Sequence, residues 1–150
     1  MIRLFSMLSR VVQFILIAVV CFAFTACTER APAAPDPVQI LQQIPAGNAS
    51  AYEHIRNMKT WRNPYLIVRT DGVALLDIPD NAEIVLKPEE VLPALAKLPP
   101  TNWPYGRVVA VAENSVRGSE QDAVAIRRNK GIVGGVLGGA HIDVRWVPAA

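Results

Sequence analysis

The chain has 150 residues, of which 51% are apolar, with 15 Lys and Arg against 13 Asp and Glu, and two cysteines. With Arg3 and Arg10 set aside, 13 basic and 13 acidic residues remain, so no basic face is indicated for nucleic acid and the charge balance selects no partner. Both cysteines, Cys21 and Cys27, lie near the start, which leaves no later thiol for a disulfide, a nucleophile or a metal site.

The first segment carries an address. Arg3 and Arg10 supply a positive start, and Val11 to Phe24 is an uncharged run interrupted only by Gln13. It falls short of the roughly 20 residues that span a bilayer comfortably. Phe24-Thr25-Ala26-Cys27 resembles a bacterial lipobox, with Phe24 where Leu is commonest. The resemblance implies removal of residues 1–26 as a signal peptide, acylation of Cys27, and a membrane partner reached through that lipid. Thr28, rather than Asp, after the cysteine points to the outer membrane. An uncleaved anchor and an ordinary cleaved signal peptide are the alternatives, and all three place the remainder outside the cytoplasmic membrane, facing the periplasm.

Residues 27–37 read as a tether, because Pro32, Pro35 and Pro37 spaced through alanine and charge favour extended backbone. Residues 38–150 are then long enough for one small domain. Its first helix is expected at Ser50, where Ser50-Ala51-Tyr52-Glu53 matches a capping box and Tyr52, Ile55 and Met58 recur at threes. Tyr65–Arg69 and Val73–Asp77 flank Thr70-Asp71-Gly72, a hairpin signal. Glu83–Leu86 is a short strand. Pro88-Glu89-Glu90 starts a helix with Val91, Leu92, Leu95 and Leu98 as its stripe, stopped by Pro99-Pro100.

Arg107–Glu113 has apolar residues on both faces and reads as a central strand. Ser119-Glu120-Gln121-Asp122 starts another helix, and His141–Val147 alternates as a last, half-buried strand. This order predicts an α+β fold, a small two-layer sandwich with a mixed sheet of about four strands and helices on one face.

Across residues 65–147, the runs YLIVRTDGVALL, EIVLKPEEVLPALAKL, RVVAVAEN and SEQDAVAIRRNKGI resemble the periplasmic domain of the ExbD/TolR family. The resemblance implies an accessory of an envelope machine and a homodimer. It departs in having no Asp or Glu before Glu29, where family members carry the membrane acid that couples proton flow to force. It departs again in the long glycine-rich stretch 131–139.

That stretch offers a candidate interface. Gly131, Gly135 and Gly139 recur at fours, so a helix running through them presents a groove where a second copy packs closely; a frayed end leading to the last strand is the alternative. The glycines follow a helix and precede a strand, the wrong order for a phosphate loop. Trp103 and Tyr105, set among Pro99, Pro100 and Pro104, form a candidate binding loop for glycan rings or proline-rich peptides, or else fold back over the core.

Catalytic residues, a metal site and a cofactor are not expected. His54 and His141 are far apart and outside any metal-ligand spacing. Ser50, Ser115 and Ser119 read as caps and a turn, with no G-x-S-x-G elbow. Glu89, Glu90, Asp77 and Asp80 are explained as helix-start and turn acids, while a carboxylate-based periplasmic enzyme stands as the rival reading. The expectation is a non-enzymatic binding or scaffold module, with an orphan structural lipoprotein as the third reading.

Overall fold

β-Branched and large aliphatic residues dominate five short segments, and each becomes a strand: β1 (Tyr65–Val68), β2 (Val73–Asp77), β3 (Ala82–Leu86), β4 (Val108–Glu113) and β5 (Asp143–Val147). The computed structural model describes residues 34–77, 82–114 and 118–148; Cys27 lies outside them. The strands form one mixed sheet in the order β3-β2-β1-β4-β5. β1–β2 and β2–β3 are antiparallel, whereas β1–β4 and β4–β5 are parallel. The sheet has one strand more than expected, and β4 holds the inner position that its two apolar faces predict.

The hairpin signal after β1 is used. Arg69 N–H donates to the Gly72 carbonyl at 2.9 Å, and Gly72 has φ +152° with the Leu86 carbonyl of β3 where a Cβ would stand. A side chain there would strike backbone, so glycine is required.

Among the described residues four helices pack around this sheet: α1 (Pro37–Gln42), α2 (Ala49–Tyr52), α3 (Val91–Ala96) and α4 (Glu120–Gly139). Asp36 caps α1 by accepting from Val38 N–H at 3.0 Å, with Pro37 in the first turn. Asp-Pro is a helix-start signal in its own right, and it places helix where the sequence suggests the tether's end. A 3-10 turn, Pro88–Glu90, leads into α3, and Lys87 N–H donates to the Glu90 carboxylate at 2.9 Å. Ser119 and Asp122 form a capping box at the expected start of α4.

One face of the sheet receives α1, α3 and α4. Leu41, Val91, Leu95, Val133 and Leu137 pack there on Leu66, Val68, Val73, Val109 and Val111, all fully buried. Each such side chain contributes about 1.5–3 kcal/mol by leaving water, so this layer supplies most of the domain's stability.

The other face is partly covered by residues 45–64, which act as a strap. Ile55 and Trp61 bury against Val108 and Ala110, with Tyr52, Met58, Tyr65 and Tyr105 packed around them. The helix expected from Ser50 to Met58 is not formed. Ser50 Oγ donates to Asn48 Oδ1 at 2.7 Å instead of capping, α2 lasts one turn, and a 3-10 turn follows at Met58–Thr60. The reason is tertiary: Arg145 of β5 takes the carbonyls of Tyr52 and Ile55, fixing the strap off the helical path.

Candidate binding surface

Trp103 and Tyr105 do not form an exposed aromatic pair. Trp103 closes a 3-10 turn at Pro100–Asn102 and is buried in the helix-side core, where its indole N–H has no partner among the described residues. Tyr105 turns to the opposite side and joins Trp61, with ring centroids 5.2 Å apart. The turn between them is set by Asn63, which is fully buried. Its amide donates to the carbonyls of Gly106 (2.7 Å) and Val108 (2.8 Å) and accepts from Tyr105 N–H (2.9 Å). Two donors and one acceptor are satisfied, so Asn63 is a structural bridge between the strap and the start of β4.

Tyr52 completes the strap's aromatic cluster, edge-on to Trp61 at 5.8 Å. The Arg145 guanidinium lies 5.5 Å from the Trp61 ring and 5.8 Å from that of Tyr52. Its place between aromatic faces and carbonyls is the arrangement that suits a planar cation. Burial pushes the Tyr52 phenol up, with the charges of Asp143 and Glu53 adding and Arg145 opposing. Burial alone raises that of Tyr65. The faces of Trp61 and Tyr52 are therefore met by a cation from within the fold.

The candidate interface glycines are helical. α4 runs through Gly131, Gly135 and Gly139, and nothing lies within 4 Å of a Cβ built at any of the three. They form an open strip on the solvent side. The helix ends beyond them, where His141 adopts φ +56°, its N–H donates to the Gly138 carbonyl (3.0 Å), and Ile142 N–H reaches that of Leu137 (3.0 Å). This is the Schellman pattern, with buried Leu137 and Ile142 as its apolar contact. His141 thus has a backbone role. His54 is exposed on the strap, and no group of three His, Cys, Asp or Glu among the described residues is placed to hold a metal.

Two surfaces on the helix side and at the sheet's edge remain. Ile40, Ile44, Ala96, Leu98 and Trp103 line a groove of about 400 Å³ between α1 and α3, without a charged lining residue. At the sheet's end, β3 pairs with β2 on one side, and no described strand lies on the other. Ile84 and Val85 point to opposite faces there and are 51% and 50% exposed. At the far edge, Trp146 of β5 is also exposed, but Lys130 covers its ring at 4.5 Å and pairs with Glu113.

β3 is the least protected of these surfaces. Its outer backbone groups have no strand beside them among the described residues, and its two exposed aliphatics sit on both sides of that row. An added strand there gains both hydrogen bonds and apolar contact. The sequence marks Glu83–Leu86 as a strand but not as an edge, because strand order is set by pairings far along the chain. Among the described residues, no helix is long and apolar enough to cross a membrane. No protein family, curated protein or solved structure matches this chain.

Proposed function

We propose that the protein is a bacterial envelope lipoprotein, held at the membrane through acylated Cys27 and facing the periplasm, whose domain is a non-enzymatic binding or scaffold module. The observation that carries the binding role is the β3 edge, which has no further strand beside it among the described residues, with Ile84 and Val85 half exposed. Large aliphatics beside unpaired backbone groups are a liability unless a partner covers them. The pattern across residues 65–147 makes an ExbD/TolR-type envelope machine the first partner to test, with this chain as an accessory.

Full-length protein captured from solubilised membranes tests this reading when compared with an Ile84→Lys, Val85→Lys variant. A defined set of proteins should be recovered with the wild type and lost with the variant. Identical recovery with both would overturn the assignment. The anchor has its own test: intact mass should show loss of residues 1–26 and gain of acyl chains, and Cys27→Ala should block both. Residues 1–26 retained on the wild-type protein would remove the lipid attachment.

A further inference from the structure

Among the described residues no strand lies beside the outer row of β3. No proline or bulge interrupts Ala82–Leu86, all five of whose residues pair with β2 in one register, and four of them are exposed. Its acid, Glu83, is paired with Arg69 of the β1–β2 turn. Lys87 continues the extended backbone at φ −70° and ψ 151°, and its ammonium has no ion pair among the described residues. Pro88 follows immediately and is buried.

From this arrangement we infer that the β3 edge pairs with the β3 edge of a second copy of the chain, antiparallel and centred on Val85. The inference rests on the reading of the domain as a binding module and names its partner. A two-fold pairing about Val85 sets Ile84 across from Leu86 and Glu83 across from Lys87, twice by symmetry. Ala82 meets Pro88, whose missing N–H ends the ladder. Neighbouring registers do worse. Centring on Ile84 leaves Glu83 facing Val85, and centring on Leu86 brings Pro88 across from Ile84 with Lys87 facing Val85. Only the Val85 register matches both charges with opposite charges and both aliphatics with aliphatics.

Alternation places Glu83, Val85 and Lys87 on one face. The pairing therefore builds a row of Arg69, Glu83 and the second copy's lysine around the central valines. The contact is isologous and closes on itself, using up both edges. One short strand pair is smaller than the roughly 1,200–2,000 Å² of a stable interface, so the dimer is weak and depends on the copies being concentrated together.

Cysteine cross-linking of the full-length chain in membranes tests the register. Residues directly opposed in an antiparallel pair have Cα atoms about 4.5–5.5 Å apart, within disulfide reach. Under mild oxidation Val85→Cys should give a reducible species of doubled mass, with the linkage between the two copies of position 85 identified by peptide mapping. The wild type, whose only cysteines are Cys21 in the segment removed and Cys27 at the lipid, sets the baseline, and Ile84→Cys and Val124→Cys should cross-link several-fold less. Adding Lys87→Glu should reduce the product, and Glu83→Lys together with Lys87→Glu should restore it in part, since Arg69 then faces a lysine.

Sedimentation of the same full-length chain without the added cysteine gives an independent reading. Lys87→Glu should raise the dimer dissociation constant about tenfold, from two lost charge pairs and two new repulsions. Equal cross-linking at positions 84, 85 and 124, or a dissociation constant unmoved by Lys87→Glu, overturns the pairing. If the Val85→Cys chain links instead to a different protein, the pairing is also overturned while the binding module stands. No adduct of the Val85→Cys chain, combined with identical capture by the wild type and the Ile84→Lys, Val85→Lys variant, removes both.

Discussion

Arg145 Nη2 on β5 lies 2.6 Å from the carbonyl oxygen of Ile55, 90 residues earlier in the chain. The same guanidinium also donates to the Tyr52 carbonyl, so a single side chain ties the strap to the edge strand β5. Arg145→Met keeps an apolar stem and removes the donors. It should cost about 2 kcal/mol, the scale of hydrogen bonds from a charged group plus the ring contacts. Amide exchange should accelerate across residues 48–60 while β1 and β4 stay protected; uniform acceleration would mean that the strap and sheet open together.

Asn63 predicts a larger loss. Asn63→Leu has similar volume but strands Tyr105 N–H and the Val108 carbonyl in a buried site, at about 1–3 kcal/mol for each unpaired group, while the Gly106 carbonyl keeps the Val108 N–H at 2.8 Å. Urea unfolding should show a decrease of about 2–6 kcal/mol, the sum of those two losses. A change below about 1 kcal/mol would mean that water replaces the amide.

The end of α4 predicts gains. Gly135 sits in an open helical position, so Gly135→Ala should stabilise the domain by about 0.8–1.0 kcal/mol. His141→Gly should add about 0.5–1 kcal/mol by relieving a left-handed backbone. Both are read from urea midpoints. Gly135→Leu should leave self-association unchanged if the β3 edge carries it, and a raised dimer dissociation constant would instead assign the interface to the glycine strip.

Alkaline titration reports the strap side of the sheet. Burial raises Tyr65, and burial with Asp143 and Glu53 raises Tyr52, above the usual value of about 10. A phenol raised in the folded state is protonated in both states below pH ~10, where its stabilising share is complete. As pH climbs through the folded-state value that share is lost. Tyrosinate absorbance should therefore show Tyr52 and Tyr65 titrating late, with stability declining from about pH 10 upward. Tyr65→Phe should flatten the decline; ordinary titration of every tyrosine in the folded protein would contradict it.

Local chemistry is readable wherever one stretch of chain decides the outcome. Asp71-Gly72 marks its hairpin, Ser119 with Asp122 starts α4, and the double apolar face of β4 places it inside the sheet. The strap departs from its expected helix because Ser50 and Glu53 look like a cap locally, while the competing partner, Arg145, is some ninety positions away. Trp103 and Tyr105 separate for the same reason: Asn63, distant in sequence, sets the turn between them. The helix stop at His141 is hidden because the residue that enters the left-handed region is not one of the glycines. Topology hides the exposed edge, since Glu83–Leu86 reads alike whether or not another strand lies beside it.

β5 follows every other described strand in the chain and carries Arg145, the latch of the strap, while β1 pairs with β4 rather than with anything that precedes it. A chain synthesised from its amino end thus has the strap aromatics in hand long before the residue that secures them exists. Before β5 emerges the strap rests on Asn63 and on its apolar contacts with Val108 and Ala110, so a chain cut short before Arg145 should show Tyr52, Trp61 and Tyr105 more often to chaperones and proteases.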